Sequence, residues 1–288
     1  MTSQPLAVVT VTYSPGEHLT SFLDSLADAY SGQVEVILAD NGSTDGSPEK
    51  AAERDGVRLL RTGGNIGYGG AINRAVADVS GEFVLVANPD VVWGAASIDT
   101  LLDAAQRWPR AGSLGPLIRE PDGSVYPSAR AVPTLGAGAG HAILSKAWRG
   151  NPWSAKYRQS DAELRERTAG WLSGSCLLLR RVAFDSIGGF DSRYFMYMED
   201  VDLGERLGRS GWQNVYVPDA EITHAQGHSA SKHPEIMLRA HHDSAYRFLS
   251  DRYPKWWQSP LRMSLKAGLK ARSAVSVRSA VKNLRKGH

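Results

Sequence analysis

Between Phe195 and Leu203 the chain reads Phe-Met-Tyr-Met-Glu-Asp-Val-Asp-Leu, three acids set among aromatic and sulfur side chains. Placing carboxylates in such surroundings is costly unless they are used. Gly188-Gly189 interrupts the chain before this stretch, and Leu203 and Leu207 stand four residues apart after it, so Glu199 and Asp200 are expected at the start of a helix. A helix N-terminus favours an ionised carboxylate, and an ionised carboxylate in a partly dry pocket can take a proton from a hydroxyl group. The plainer alternative is that these acids only complement the helix dipole, with Asp202 paired to Arg206 at i,i+4.

A second set lies elsewhere in the chain. Asp90 follows the apolar run Phe83 to Ala87 and Asn88-Pro89, which places an acid at a strand end where it can hold a hard divalent cation through oxygen. His224, after Ile222-Thr223, ends another run; a single histidine is more often simply hydrogen-bonded, but a neutral imidazole there can complete such a site. The glycine-rich loop from Gly63 to Gly70 lacks both the lysine of a phosphate-binding loop and the spacing of a dinucleotide fingerprint. That loop and Asp40-Asn41-Gly42 can each be read as a turn and nothing more. Ser173-Gly174-Ser175 lets a ligand approach the backbone closely. Cys176 sits in the apolar run Cys176 to Leu179 and reads as a buried thiol without a catalytic task.

The elements that must position these groups alternate. Leu6 to Tyr13, Val34 to Ala39, Val57 to Leu60 and Phe83 to Ala87 are apolar runs of strand length, separated by turn clusters and by amphipathic segments such as Leu19, Phe22, Leu23 and Leu26. The pattern predicts an α/β fold with a mostly parallel sheet covered by helices on both faces, and ligands at the carboxyl ends of its strands. Those ends carry Thr12-Tyr13, Asp40 and Asp90. Further on, Trp93 to Trp108 reads as a helix, Ala111 to Ile118 as a strand, Pro121-Asp122-Gly123 as a hairpin turn, Val215 to Pro218 as a short strand and Glu235 to Leu249 as a helix. From about 125 to 170 the pattern weakens into an insertion bearing Lys146, Trp148, Arg149, Trp153, Lys156 and Arg158, suited to an anionic or lipid-linked ligand; a plain surface loop with two packed tryptophans is the alternative.

Composition is that of a soluble globular chain, 288 residues with 42% hydrophobic and 22% charged. One cysteine excludes an internal disulfide framework and fits a reducing compartment. No signal peptide or spanning helix is read, so the expected place is the cytoplasm. The net charge of +3 hides an asymmetry, because Asp251 to His288 holds ten Lys or Arg against one acid. The chain is therefore divided into a main domain at 1–250 and a basic helical extension at 251–288. In the extension Trp256-Trp257 precede Leu261, Leu265 and Leu269 at i,i+4 spacing, interleaved with Arg262, Lys266, Lys270 and Arg272. This predicts a helix lying on an anionic membrane surface; a solvated basic helix, or one packed on a second copy in a homodimer, is the alternative. Nucleic acid is not an expected partner, since the tail lacks aromatic interleaving along most of its length.

Eight strings fall in a recognisable order: VTYSPG at 11–16, ADNGSTDGS at 39–47, GGNIGYGGAIN at 63–73, ANPD at 87–90, DGSVYPSAR at 122–130, WLSGSC at 171–176, GGFDSRYFMYMEDVDLGERL at 188–207 and VYVPDAEITHAQGHS at 215–229. On them the chain resembles the inverting family 2 glycosyltransferases of the GT-A fold. Within these it is most similar to the actinobacterial rhamnosyltransferases that act on N-acetylglucosaminyl-diphospho-decaprenol in the arabinogalactan linker. The resemblance implies that Thr12 and Tyr13 line a nucleotide site, with Asn88 and Asp90 beside it. It further implies that Asp40 accepts the N3 hydrogen of a pyrimidine and that Asn65 and Gly67 contact nucleoside or sugar. Asp90 and His224 would hold Mg²⁺ or Mn²⁺, although Asn88-Pro89-Asp90 stands where many relatives carry Asp-x-Asp. Asp200 would be the catalytic base of a Glu199-Asp200 pair, and Arg130, Trp171, Ser173, Gly174 and Asp202 would face the acceptor.

The implied reaction is inverting transfer of L-rhamnose from a dTDP-sugar donor to a polyprenyl-diphosphate-linked acceptor, by a protein held peripherally on the inner face of the plasma membrane. Transfer of another nucleotide sugar to a different acceptor meets the same motifs. A nucleotidyltransferase would need a basic glycine-rich loop where this chain has Ser14-Pro15-Gly16-Glu17, and a non-catalytic glycan-binding domain would have no use for Glu199, Asp200 and Asp90.

Overall fold

The protein is described by a computed structural model over residues 5–133, 164–225 and 234–270. The basic and tryptophan residues between 146 and 158, the stretch Gln226 to Ser229 and the tail beyond 270 lie outside the described residues.

The first four apolar runs form β1 (Leu6–Thr12), β2 (Val34–Asp40), β3 (Val57–Arg61) and β4 (Phe83–Ala87), all parallel, in the order β3-β2-β1-β4. Between them run α1 (Glu17–Ala29), the short α2 (Ser47–Ala51) and α3 (Tyr68–Val76). Successive strand residues point to opposite faces, and both faces are apolar. Val8, Leu38 and Leu85 pack with Phe22 of α1 and Leu101 on one side; Val9, Ile37 and Val86 pack with Ile72 of α3, Phe184 and Leu203 on the other.

After β4 the chain leaves the middle of the sheet through Asn88-Pro89-Asp90 and reaches the far edge as β5 (Val91–Trp93). The expected helix from Trp93 is therefore shorter: α4 is Ser97–Arg107, and Trp93 belongs to the strand, its ring 5.5 Å from that of Phe22. Gly94 is needed at the junction, because a Cβ there would lie 2.5 Å from the Glu221 carbonyl oxygen.

The second half of the sheet is mixed. β6 (Ala111–Arg119) turns back through the expected hairpin into β7 (Val125–Tyr126). A separate pair joins β8 (Ala129–Arg130) to β10 (Trp171–Leu172), while β9 (Arg167–Ala169) lies on the outside of the last strand. β11 (Cys176–Arg180) runs antiparallel between β4 and β6, so Trp171 and Cys176 belong to two different strands. After α5 (Arg181–Ser186) and α6 (Glu199–Arg209) comes β12 (Gln213–His224), parallel to β6. It is twelve residues long instead of ending at Pro218, with its register shifted between Val217 and Glu221. A proline and two acids at that shift made one strand look finished.

α7 (Pro234–Arg252) closes the fold over the loop before α6, where Phe248 joins Trp171, Tyr194 and Val201 in a third apolar cluster. A one-turn helix at Trp256–Gln258 and α8, over residues 259–270, follow. No helix of the described residues is long and apolar enough to cross a membrane.

Candidate active site

The parallel register sets Thr12 opposite Asp40 at the carboxyl edge of the sheet. The Thr12 hydroxyl donates to Asp40 Oδ1 at 3.0 Å, and the Ser43 amide donates to the same oxygen at 3.0 Å. Asp40 Oδ2 is paired with the Arg61 guanidinium, at 3.6 Å. Thr12 is fully buried, so its side chain holds Asp40 and cannot line a nucleotide pocket itself; Tyr13, the next residue, is half exposed. Asn41 is also buried and donates through Nδ2 to the Gly67 carbonyl at 3.1 Å, while Asn65 Oδ1 accepts from the Gly67 amide at 3.2 Å. The two turn clusters are thus one construction, locked around Gly67.

Gly67 is demanded twice. Its φ of +82° favours glycine, and a Cβ on it would fall 2.4 Å from the Phe195 carbonyl oxygen. The Tyr68 amide donates to that same oxygen at 3.2 Å. In this way the glycine-rich loop is pressed against the stretch that carries the acids.

α6 begins at Glu199, as the spacing predicted, but the charge expected of its carboxylates is not what the site gives them. Tyr197 and Met198 both have positive φ, +67° and +69°, which turns the chain sharply inward just before the acids. Glu199 is buried, and its Oε2 has no hydrogen-bond partner among the described residues. Burial, and then the neighbouring Asp200 charge, push the Glu199 carboxyl up to about 8. Burial also raises Asp200, against amide hydrogen bonds from Gly174 and Val201 that work the other way. Desolvation therefore outweighs the helix terminus. The two acids are unequal all the same. Asp200 Oδ2 accepts from the Gly174 amide at 3.0 Å and Oδ1 from the Val201 amide at 2.8 Å, so the ionised form is better supported on Asp200 than on Glu199.

The Asp90 and His224 side chains meet. β12 pairs with β5 so that His224 lies opposite Val91, next to Asp90, and Asp90 Oδ1 is 3.0 Å from His224 Nε2. Asn88 Nδ2 is 3.2 Å from the same nitrogen. Burial works to raise the Asp90 carboxyl, yet the His224 hydrogen bond and charge hold it below the usual carboxylate value. Among the described residues no third His, Cys, Asp or Glu joins the pair. One carboxylate oxygen and one imidazole nitrogen suit a cation such as Mg²⁺ or Mn²⁺ that takes most of its about six ligands from phosphate oxygens and water.

On the remaining side, Arg130 spans two rings, its guanidinium carbon 5.1 Å from the Tyr126 centroid and 5.4 Å from that of Trp171. Its Nε donates to the Pro127 carbonyl at 2.6 Å, and its charge reaches Asp200. Trp171 is buried with its indole N–H given to the Ala131 carbonyl at 3.0 Å, so it supports Arg130 from below instead of meeting an acceptor. The Ser173 hydroxyl lies 3.1 Å from that of Ser175, and Asp202 is taken up by Arg206 at 2.7 Å. The plainer reading of Asp202 is the one its geometry favours.

Two residues next to these groups were not singled out from the sequence. Tyr68 donates its hydroxyl to the Gly174 carbonyl at 2.5 Å, and its own titration is raised well above the ordinary value by burial and then by the charges of Glu199, Asp200, Cys176 and Asp90. It therefore stands between the two acid groups. Arg61 sits at the end of β3 and is also tied to Glu49 at 2.6 Å. Tyr68 lay inside a quoted motif and Arg61 directly after a strand run, but nothing in their spacing marked them.

Comparison with known proteins agrees with this geometry. The family described as Glycosyl transferase family 2 matches residues 7–188. The chain is 57% identical over 293 residues to the N-acetylglucosaminyl-diphospho-decaprenol L-rhamnosyltransferase of Mycobacterium tuberculosis H37Rv, covering 98% of this chain and 95% of the relative. It is 26% identical to rhamnosyltransferase WbbL of Escherichia coli K12, over 84% of this chain and 92% of that one. Among solved structures, the mannosyltransferase PcManGT of Pyrobaculum calidifontis, in complex with GDP-Man and Mn²⁺, superposes with a TM-score of 0.58 at 16% identity, covering 99% of this chain and 80% of that one. Residues 1–349 of S. aureus TarS give 0.54 at 17% identity over 84% and 64%. With its α/β sheet, its paired acids and this match, the chain belongs to glycosyl transferase family 2 and has the GT-A fold.

Proposed function

We propose that this protein transfers L-rhamnose from dTDP-β-L-rhamnose to N-acetylglucosaminyl-diphospho-polyprenol with inversion, giving an α-L-rhamnoside. The observation that carries the reaction type is the unequal acid pair, one carboxylate accepting two amide hydrogen bonds beside one buried carboxyl pushed up to about 8. The likeness to the M. tuberculosis enzyme over nearly both whole chains supports the sugar transferred and the acceptor.

Each group then has a task. Asp40 Oδ2 and Arg61 offer an acceptor and a donor to the pyrimidine, with Thr12 and Ser43 fixing the carboxylate plane. Asp90 and His224 would hold the divalent cation, which when bound offsets the charge gathering on the departing diphosphate. Asp200 receives the proton of the acceptor hydroxyl as that oxygen attacks the sugar from the face opposite the leaving group, so no covalent sugar-enzyme intermediate is needed. Glu199, its carboxyl pushed up to about 8 by burial and the Asp200 charge, spares Asp200 a second neighbouring negative charge. Arg130 supplies a fixed cation to the acceptor diphosphate. Because such an acceptor stays in a bilayer, the enzyme works at the inner membrane surface.

The test is product mass after incubation with separate nucleotide sugars and a short-chain polyprenyl-diphosphate N-acetylglucosamine. Rhamnose transfer from dTDP-rhamnose is expected, and Asp200→Asn should lower turnover by at least about a hundredfold while the fold and donor binding persist. Transfer from a UDP-sugar alone would overturn the rhamnosyl assignment.

A further inference from the structure

The segment after α7 displays what a folded surface normally hides. Trp256 is 83% exposed and Trp257 57%, and Met263 on α8 is 71% exposed, all within eight residues. Tryptophan is the largest apolar side chain, and two in succession facing water form a patch that needs a reason. No described residue covers it. Of the leucine stripe read from the sequence, Leu261 is exposed while Leu265 and Leu269 are half-buried, so the stripe faces out only at its start.

The charge around this patch has one sign. From Arg252 to Lys270 there are five Lys or Arg and no acid. Arg252 and Arg262 are engaged within the fold, by Glu205 at 2.9 Å and by the Tyr253 and Lys255 carbonyls at 2.7 and 2.9 Å. Lys255 stands 5.6 Å from the Trp257 ring and Lys266 5.5 Å from that of Tyr246, each ammonium laid beside an aromatic face. Exposed indoles flanked by lysines match the boundary between acyl chains and anionic headgroups, where an amphipathic ring and a cation both find partners.

The patch is also fixed relative to the acids. α7, which leads into it, donates from Ser244 to the Met196 carbonyl at 2.8 Å, and its Asp251 pairs with Arg193 at 2.7 Å. We propose that residues 255–270 are a docking surface for an anionic lipid bilayer, with Trp256, Trp257 and Met263 entering the headgroup layer and Lys255, Lys266 and Lys270 facing lipid phosphates. The biological use rests on the lipid-linked acceptor proposed above; the binding itself does not.

The experiment is co-sedimentation of the full chain with phosphatidylcholine vesicles, with and without phosphatidylglycerol, at low and high salt. Binding is expected only with the anionic lipid and is weakened by salt. Lys255→Gln, Lys266→Gln and Lys270→Gln together should weaken it by about a hundredfold, each cation being worth roughly fivefold. Trp256→Ala with Trp257→Ala should weaken it at least tenfold, with the melting temperature and transfer to a water-soluble acceptor unchanged. The cations beyond residue 270 are kept in every variant, so vesicle binding that survives loss of both tryptophans overturns the proposal. A parent that ignores vesicles but forms a dimer, which the tryptophan variant does not, assigns the patch to a second copy and overturns it as well. A protein that binds vesicles but does not transfer rhamnose leaves the surface standing and fails only the functional reading.

Discussion

Tyr68 and Asp200 hold one residue, Gly174, through the peptide groups on its two sides: the Tyr68 hydroxyl donates to the Gly174 carbonyl at 2.5 Å, and the Gly174 amide donates to Asp200 Oδ2 at 3.0 Å. Tyr68 is the first residue of the helix that follows the glycine-rich loop. The placement of the candidate base is thereby tied to the loop on the nucleotide side.

Tyr68→Phe removes the hydroxyl and leaves the ring. A lost hydrogen bond to a partly buried carbonyl costs about 1 kcal/mol, and Gly174, held on one side fewer, positions its amide on Asp200 less firmly. The expected result is a fall in kcat of about tenfold with little change in donor KM. Because a weaker amide contact raises the Asp200 carboxyl further, the acid limb of the pH–rate profile moves to higher pH. An acid limb that stays in place would separate Tyr68 from the base.

Glu199 makes stability depend on pH in a direction opposite to most acids. The folded carboxyl titrates near 8 against an ordinary value of 4.5, so between these the folded protein holds a proton the unfolded chain has released. Its contribution is complete below the unfolded value and is lost as pH rises through the folded one. Glu199→Gln cannot ionise and escapes that loss. Its melting temperature relative to the parent should rise between pH 5 and pH 8 by at least about 3 °C, roughly 1 kcal/mol for a chain of this size. Melting curves of the two proteins that stay parallel with pH would show that the carboxyl is not buried as described.

Asp90→Ala leaves His224 as the sole side chain of its pair. Calorimetry of dTDP binding should show affinity that drops at least tenfold on adding a chelator to the parent, and no chelator effect in the variant. Equal affinities under all four conditions would remove the cation from this site.

Much of the site was legible because strand ends are. Asp40 and Asp90 sit where apolar runs stop, and a parallel sheet collects its strand ends on one edge. The helix at Glu199 was legible from Leu203 and Leu207. What was hidden depends on sums over distant segments. The rise of the Glu199 carboxyl follows from burial, and the close contacts made beside it, Gly67 with Phe195 and Gly174 with Asp200, join segments far apart in sequence. Thr12 and Trp171 read as surface ligands because polarity and size say nothing of which neighbour takes the hydrogen bond; one is spent on Asp40, the other on Ala131. The full length of β12 was masked by Pro218 and its acids, since a register shift lets a strand continue through residues that usually end one.

Cys176, the one thiol of the chain, lies in β11 opposite Ala87, fully buried, its ionisation pushed up by desolvation. A thiol reagent in solution therefore finds nothing to modify until the sheet itself parts between β4 and β11. The rate at which a chromogenic disulfide reacts with the untouched protein is then a clock for opening of the central sheet, readable without any introduced label. The same silence makes the parent a clean background: a cysteine placed at an exposed position would be the single site at which a fluorophore or spin label attaches.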